Sequence, residues 1–150
     1  MELYCVENTD PIAPVTLERI AQQVEKLGAT LETVENAGLA HINNVPFQFH
    51  FTSGNKFLSI RAVWESGLEQ EARQLPHLFT AADSWNREKY FPTVYIVAVD
   101  GQMQVVADFI VPIAEGLDDA QLLENISAAV DTAVEALQFM AHVVATIKTL

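Results

Sequence analysis

Residues 93–111 read TVYIVAVDGQMQVVADFIV, two apolar, β-branched runs joined by Asp100-Gly101. Runs of this composition favour strands, and an Asp-Gly pair between two of them is the strongest short-range signal for a hairpin. Upstream, Phe47, Phe49 and Phe51 alternate with polar residues, so one face of that segment is aromatic. The two patterns together predict an antiparallel sheet.

Three segments have helical periodicity, one before the strands, one between the two groups of strands and one after them. Thr16 is suited to an N-cap and Gly28 to a helix stop, which bounds the first helix. The helices are predicted over residues 16–27, over residues 68–90 with Pro76 starting or kinking the main part, and from about Asp118 to near the C-terminus.

The strands that precede the second helix are short. Asn43-Asn44 is predicted to form a bulge or a turn, and Pro46 argues against a central ladder position. The last strand of this group is predicted over residues 57–64, where both faces carry apolar residues. The predicted order is α-β-β-β-α-β-β-α, an α+β fold with an antiparallel sheet. Residues 1–150 are predicted to form one domain, with 1–14 as an irregular N-terminal segment.

The last helix carries two seven-residue repeats, which is typical of a coiled-coil seam. The residues beside the repeats are small or apolar, whereas a two-stranded coil usually carries charges there. A broad apolar face fits packing on a sheet, and the alternative is an exposed seam used for pairing. The repeating residues are Leu123, Val130, Leu137 and Val144, and Ile126, Ala133, Met140 and Ile147.

Net charge, cysteine content and the N-terminal sequence indicate which partners and which cellular location to expect. The 150 residues carry a formal net charge of -12, which repels phosphate backbones and anionic membranes. We therefore expect no nucleic acid and no membrane partner. Cys5 is the only cysteine, so no internal disulfide can form, and we expect a packed thiol. No signal peptide is visible, which predicts a cytoplasmic protein.

Catalytic and metal-binding patterns are missing from the sequence. The four histidines form no H-x-H or H-x-x-x-H pair, and there is no G-x-S-x-G elbow or phosphate-binding loop. We expect no metal, no cofactor and no enzymatic activity. An enzyme is the weakest hypothesis, and it predicts a cleft with a strongly perturbed acid or histidine.

A family resemblance rests on three stretches of the sequence. The sequence Ser84-Trp85-Asn86, the 95–108 hairpin segment and the Gly116-Leu117 entry into a long helix resemble the YbjN-type proteins, which are called bacterial sensory-transduction regulators. The resemblance covers roughly residues 15–148. It implies a fold like that of class I type III secretion chaperones, which are small, acidic, usually dimeric, and bind protein segments without ATP. It implies no catalytic residues.

The leading hypothesis is a non-enzymatic, chaperone-like regulatory module, a homodimer that offers an apolar surface or sheet edge to an unidentified protein partner. The alternative is a small-ligand sensor with a pocket between the sheet and the C-terminal helix. Asn86 either hydrogen-bonds the following loop or strand or contacts a ligand directly. The predicted partner-binding residues are Trp64, Trp85, Asn86, Phe91, Phe139 and Val143.

Overall fold

The structure is a computed structural model that describes residues 11–150. Its elements are α1 (Leu17–Lys26), β1 (Glu32–Val34), β2 (Ala37–Ile42), β3 (Val45–Thr52), β4 (Phe57–Glu69), α2 (Leu75–Glu88), β5 (Thr93–Val99), β6 (Gln102–Pro112) and α3 (Asp119–Ile147). The predicted thiol environment of Cys5 and most of the predicted irregular segment lie outside the described residues.

Six strands form one antiparallel sheet in the order β1-β2-β3-β4-β6-β5. This confirms the predicted α+β class and the hairpin at Asp100-Gly101, where both residues have positive φ, as a two-residue hairpin loop of this type requires. The likeness to type III secretion chaperones stays a prediction.

All three helices pack on one face of the sheet. On that face β3, β4 and β6 present side chains that are almost completely buried, including Phe47, Ala62 and Ala107, which lie opposite one another across the three strands. Helix α3 contacts β4 and β6, and it also contacts α1 on one flank and α2 on the other. No described helix covers the opposite face of the sheet.

The long helix α3 packs on the sheet, in agreement with the first of the two alternatives. Its capping box joins Asp118 and Gln121, which satisfies the free N–H groups of the first turn. Seven of the eight residues in its two seven-residue repeats are buried, and Leu123 is half-buried. The repeats therefore belong to the core of this chain.

A clamp around Arg19 ties the beginning of the described chain to the start of α3. The guanidinium donates to the carbonyls of Ala13 and Leu117 at 2.7 Å each, and it also pairs with Asp119 at 2.9 Å. Gly116 allows the two segments to approach, because a Cβ there would lie 2.6 Å from the Ala13 carbonyl oxygen.

Several predicted boundaries were wrong. Strand β4 continues to Glu69, because Gly67 at φ 75° bends the strand between Glu65 and Glu69 without ending it. The buried Ser66 hydroxyl stabilises this bend by donating to the Met103 carbonyl at 2.6 Å. Helix α2 begins only at Leu75, with Pro76 in its first turn, so Pro76 starts the helix and does not kink it.

The strand group before α2 contains four strands, one more than the predicted order counted. Asn43-Asn44 is a turn, with both residues at positive φ. Pro46 lies within β3 and pairs with His41 of β2, but it lies beyond the part that pairs with β4, so it occupies no central ladder position, as predicted. A proline is tolerated there because that side of its backbone has no ladder partner.

Burial of α3 can be tested with two identical substitutions. Leu122 is 0% exposed and Leu150 is 65% exposed. We expect Leu122→Ala to lower the free energy of unfolding by about 2–5 kcal/mol, because it leaves a cavity under α3. Leu150→Ala should change it by less than about 0.5 kcal/mol. Urea unfolding measures both, and equal effects would contradict this packing.

Candidate protein-binding site

An apolar groove runs along one flank of α3, and we call it the α3 groove. It holds about 260 Å³. No charged side chain lies among its described walls. The sheet side is formed by Val45, Pro46, Val63 and Trp64, the helix side by Val134, Leu137 and Ala141, and the rim by the amides of Asn43, Asn44 and Gln138.

The groove exists because the helical layer is incomplete. At about 1.5 Å per residue, the 29 residues of α3 span about 43 Å, whereas the 10 residues of α1 span about 15 Å. Helix α1 lies beside the first half of α3, where Arg19 meets Asp119, and it ends at Lys26. Beyond that point the flank of α3 has no helical neighbour, and the β2–β3 turn and Trp64 form the floor.

The predicted residues Trp85 and Phe139 meet on the other flank of α3. Their ring centroids lie 5.6 Å apart with an interplanar angle of 42°. Lys89 covers the Trp85 ring, with its Nζ 5.7 Å from the centroid, and pairs with Glu135 of α3 at 3.7 Å. Trp85 is buried, so this cluster joins α2 to α3.

The side chain of Asn86 behaves like a short piece of an additional strand beside β5. Its Nδ2 donates to the Val94 carbonyl at 2.7 Å, and its Oδ1 accepts from the Val94 N–H at 2.8 Å. The neighbouring Trp85 Nε1 donates to the Pro92 carbonyl at 2.9 Å. The Trp-Asn pair therefore fixes the end of α2 to the start of β5, as one of the two alternatives for Asn86 expected. Ligand contact at Asn86 stays a prediction.

The six predicted residues do not form one surface. Trp64 lines the α3 groove, whereas Trp85, Asn86 and Phe139 lie on the α2 side of α3. Phe91 is 51% exposed and packs edge-to-face on Phe109 with ring centroids 5.2 Å apart. Val143 is half-buried on α3 and packs against the core. Partner binding by these residues stays a prediction.

The uncovered face of the sheet carries a polar cluster. Ser59 is fully buried and donates to Asp108 Oδ1 at 2.5 Å, while Arg61 Nε donates to the Ser59 hydroxyl at 3.0 Å and lies 3.5 Å from Asp108 Oδ2. Burial raises the pKa of Tyr95, and the negative charge of Asp108 raises it further. Burial lowers the pKa of His50, the charge of Arg61 adds to this, and Asp108 opposes it.

Two parts of this arrangement were not predicted from the sequence. The groove residues Val134 and Ala141 were visible as apolar neighbours of the seven-residue repeats, but the length of α1 relative to α3 decides that they stay uncovered. The cluster of Ser59, Arg61 and Asp108 depends on the pairing of β4 with β6, which are not consecutive in the chain. Local patterns do not encode that pairing.

Within residues 11–150, no group of three or more His, Cys, Asp or Glu side chains is placed to hold a metal ion. Helix α3 is long and apolar enough to cross a bilayer by length and composition. Core helices pass the same test, and the buried face of α3 packs on the sheet.

Comparisons with known proteins support the architecture. A family model described as "YbjN: Putative bacterial sensory transduction regulator" matches residues 16–141. A solved structure described as "Crystal structure of YbjN, a putative transcription regulator from E. coli" is similar with a TM-score of 0.67 and 14% sequence identity, over 91% of this chain and 96% of that chain. At this identity the likeness shows the fold alone. A search of curated proteins found no match.

The Asn86 amide can be tested by truncation. Asn86→Ala leaves the N–H and C=O of the buried Val94 without partners, so we expect the free energy of unfolding to fall by about 1–3 kcal/mol. Asn125→Ala is the matched control, because the exposed Asn125 amide makes one hydrogen bond within α3, and its loss should cost less than about 0.5 kcal/mol. Similar values for the two variants in urea unfolding would argue against the role of Asn86.

The lowered pKa of His50 predicts a pH dependence of stability. Around the usual histidine pKa of about 6.5, the folded chain binds fewer protons than the unfolded chain, so the free energy of unfolding falls as the pH falls through this range. We expect His50→Asn to reduce this slope between about pH 7.5 and pH 5.5. The exposed His142 provides the control as His142→Asn. An unchanged slope in His50→Asn would contradict the lowered pKa.

Proposed function

Because the chain belongs to the YbjN family, we propose that it is a regulatory protein of the bacterial cytoplasm that binds a partner protein and catalyses no reaction. The family description names a regulator. The observation that carries the proposal is the α3 groove, an apolar surface that stays open beside a well-packed core. We also propose that the protein self-associates into a homodimer.

The shape of the α3 groove favours a helical segment of the partner. An amphipathic helix that binds there continues the layer formed by α1, α3 and α2, and it packs on the flank of α3 that α1 does not reach. The volume of about 260 Å³ suits one or two large apolar side chains. Recognition of an amphipathic helix by such a groove follows from burial of its apolar face.

The rim of the α3 groove indicates what the partner segment carries. Asn43, Asn44 and Gln138 offer neutral amide donors and acceptors, and the walls carry no charge. A charged side chain placed in the groove would lose hydration without gaining an ion pair. We therefore propose that the contacting face of the partner is apolar at its centre and uncharged at its edge, with polar groups that pair with the amides.

One substitution in the groove tests this proposal against a matched control. Ala141→Glu places a carboxylate in the groove, and Ala145→Glu makes the same change one helical turn further along α3, at an exposed position outside it. Alanine and glutamate both have high helix propensity, so both variants should fold. We expect a captured partner to bind wild type and Ala145→Glu within about twofold of each other and Ala141→Glu at least about tenfold more weakly.

The measurement has two steps. Quantitative capture from host lysate identifies proteins retained by wild type and Ala145→Glu but lost by Ala141→Glu, and titration calorimetry of the purified candidate gives the dissociation constants. If all three forms retain the same proteins with the same affinities, the α3 groove is not the binding site.

A small-ligand sensor is the second candidate, and the neutral walls of the same groove favour it. The groove lies between the sheet and α3, which supports this candidate. A ligand for it should raise the melting temperature with a saturable dose dependence, and Ala141→Glu should remove the effect while Ala145→Glu retains it. A screen of uncharged metabolites by thermal shift distinguishes this candidate from the first.

A further inference from the structure

Strand β5 is an open edge of the sheet. It pairs with β6 on one side only, and its seven residues, TVYIVAV, contain no proline and no charged residue. An uncharged, β-branched edge strand of this length is a template for strand pairing, and proteins usually block such edges with charges, prolines or bulges. The other edge strand of the sheet, β1, has only three residues.

The Trp-Asn pair closes the first part of this edge and leaves the second part open. Both backbone groups of Val94 bond Asn86, so they point away from β6, and alternation along an antiparallel strand makes those of Ile96 and Ala98 point the same way. No hydrogen bond within the described residues uses the outward N–H and C=O groups of Ile96 and Ala98.

The segment that forms α2 and β5 is far less acidic than the chain as a whole. Residues 73–99 carry three cations, Arg73, Arg87 and Lys89, and two anions, Asp83 and Glu88, a formal net charge of +1 against -12 for the whole chain. Two acidic copies repel each other, and this segment contributes little to that repulsion.

We propose that β5 pairs antiparallel with β5 of a second copy about a two-fold axis at Val97, and that Asn86 sets this register. The inference rests on the self-association in the proposed function and adds its interface. In this register Ile96 lies opposite the partner's Ala98, and each such pair exchanges both of its hydrogen bonds. The same patch thus serves both copies, as a two-fold interface requires.

Asn86 excludes the competing register. An axis at Ile96 would form more hydrogen bonds, because it would also bring the partner's Ala98 opposite Val94. The Asn86 amide already occupies the outward groups of Val94. With the axis at Val97, the residue opposite Val94 is the partner's Asp100, where the strand has already turned at φ 51°. The Asn86 amide therefore occupies the space beside Val94, where the partner strand has already ended.

Helix α2 adds an apolar contact beside the open part of the edge. Phe79 is 47% exposed and lies seven residues before Asn86, on the same side of α2. The end of α2 meets the start of β5, so the two run antiparallel, and seven helical residues cover about 10 Å, or about three strand residues. Phe79 thus lies near the level of Val97, where the second copy approaches.

Disulfide trapping measures the register directly. In a Cys5→Ser background, Val97→Cys should form an intermolecular disulfide under mild oxidation, because the two Val97 residues form a non-hydrogen-bonded pair with Cα atoms about 4.5 Å apart. Val99→Cys is the matched control on the same face of β5, and its two copies lie about 14 Å apart in this register. We expect at least a tenfold higher yield at position 97, and equal yields or a preference for position 99 would overturn the register.

Removal of the Asn86 side chain should move the axis. With Asn86→Ala, Val94 becomes free and the register centred on Ile96 becomes available, so the Val97→Cys yield should fall and the Ile96→Cys yield should rise. If the Val97→Cys yield is unchanged in Asn86→Ala, the side chain does not set the register.

Ala98→Pro tests the interface without a cysteine. A proline is tolerated where the N–H points away from the ladder, so the monomer should keep its fold by circular dichroism, and light scattering should show loss of the dimer. A dimer that persists in folded Ala98→Pro, or a strict monomer of wild type at high micromolar concentration, would overturn the proposal. Partner binding in the α3 groove is measured on the same monomeric variant. The test of partner binding is therefore independent of the test of the dimer interface.

Discussion

The surfaces available for binding all follow from the fact that three helices cover one face of a six-stranded sheet and cover it unevenly. Helix α3 lies at the centre, over β4 and β6, and most of its apolar residues are buried in the core. Helix α1 is too short to flank α3 along its whole length, which leaves the α3 groove. Helix α2 hydrogen-bonds the outer edge of β5 only through Asn86 in its last turn, which leaves Ile96 and Ala98 without a strand partner on that side.

The Trp-Asn pair gives a physical meaning to the motif that first indicated the family. Trp85 and Asn86 bind Pro92 and Val94 at the start of β5 through three hydrogen bonds, and the ring of Trp85 also joins α2 to α3. A motif at such a junction orients the helical layer relative to the sheet edge. The same side chains stabilise the fold and limit where another strand can be added, so a structural role and a recognition role do not exclude each other here.

The sequence was informative where the signal is local. The 93–111 hairpin, the alternating phenylalanines of β3 and the capped start of α1 at Thr16 all depend on neighbouring residues, and all were predicted. The extension of β4 past Gly67 was missed, because a glycine that bends a strand and a glycine that ends one have the same local pattern. The α3 groove depends on the relative lengths of α1 and α3 and on the crossover that pairs β4 with β6. Such non-local relations become visible only when the chain is folded.

Amide hydrogen exchange along β5, measured at low and high protein concentration, tests most directly whether the uneven cover of the sheet creates a binding edge. We expect Asn86 to protect the Val94 amide at every concentration, and we expect the Ile96 and Ala98 amides to exchange quickly in dilute protein and slowly in concentrated protein. Fast exchange of Ile96 and Ala98 at all concentrations, or protection of both in dilute protein, would contradict this expectation.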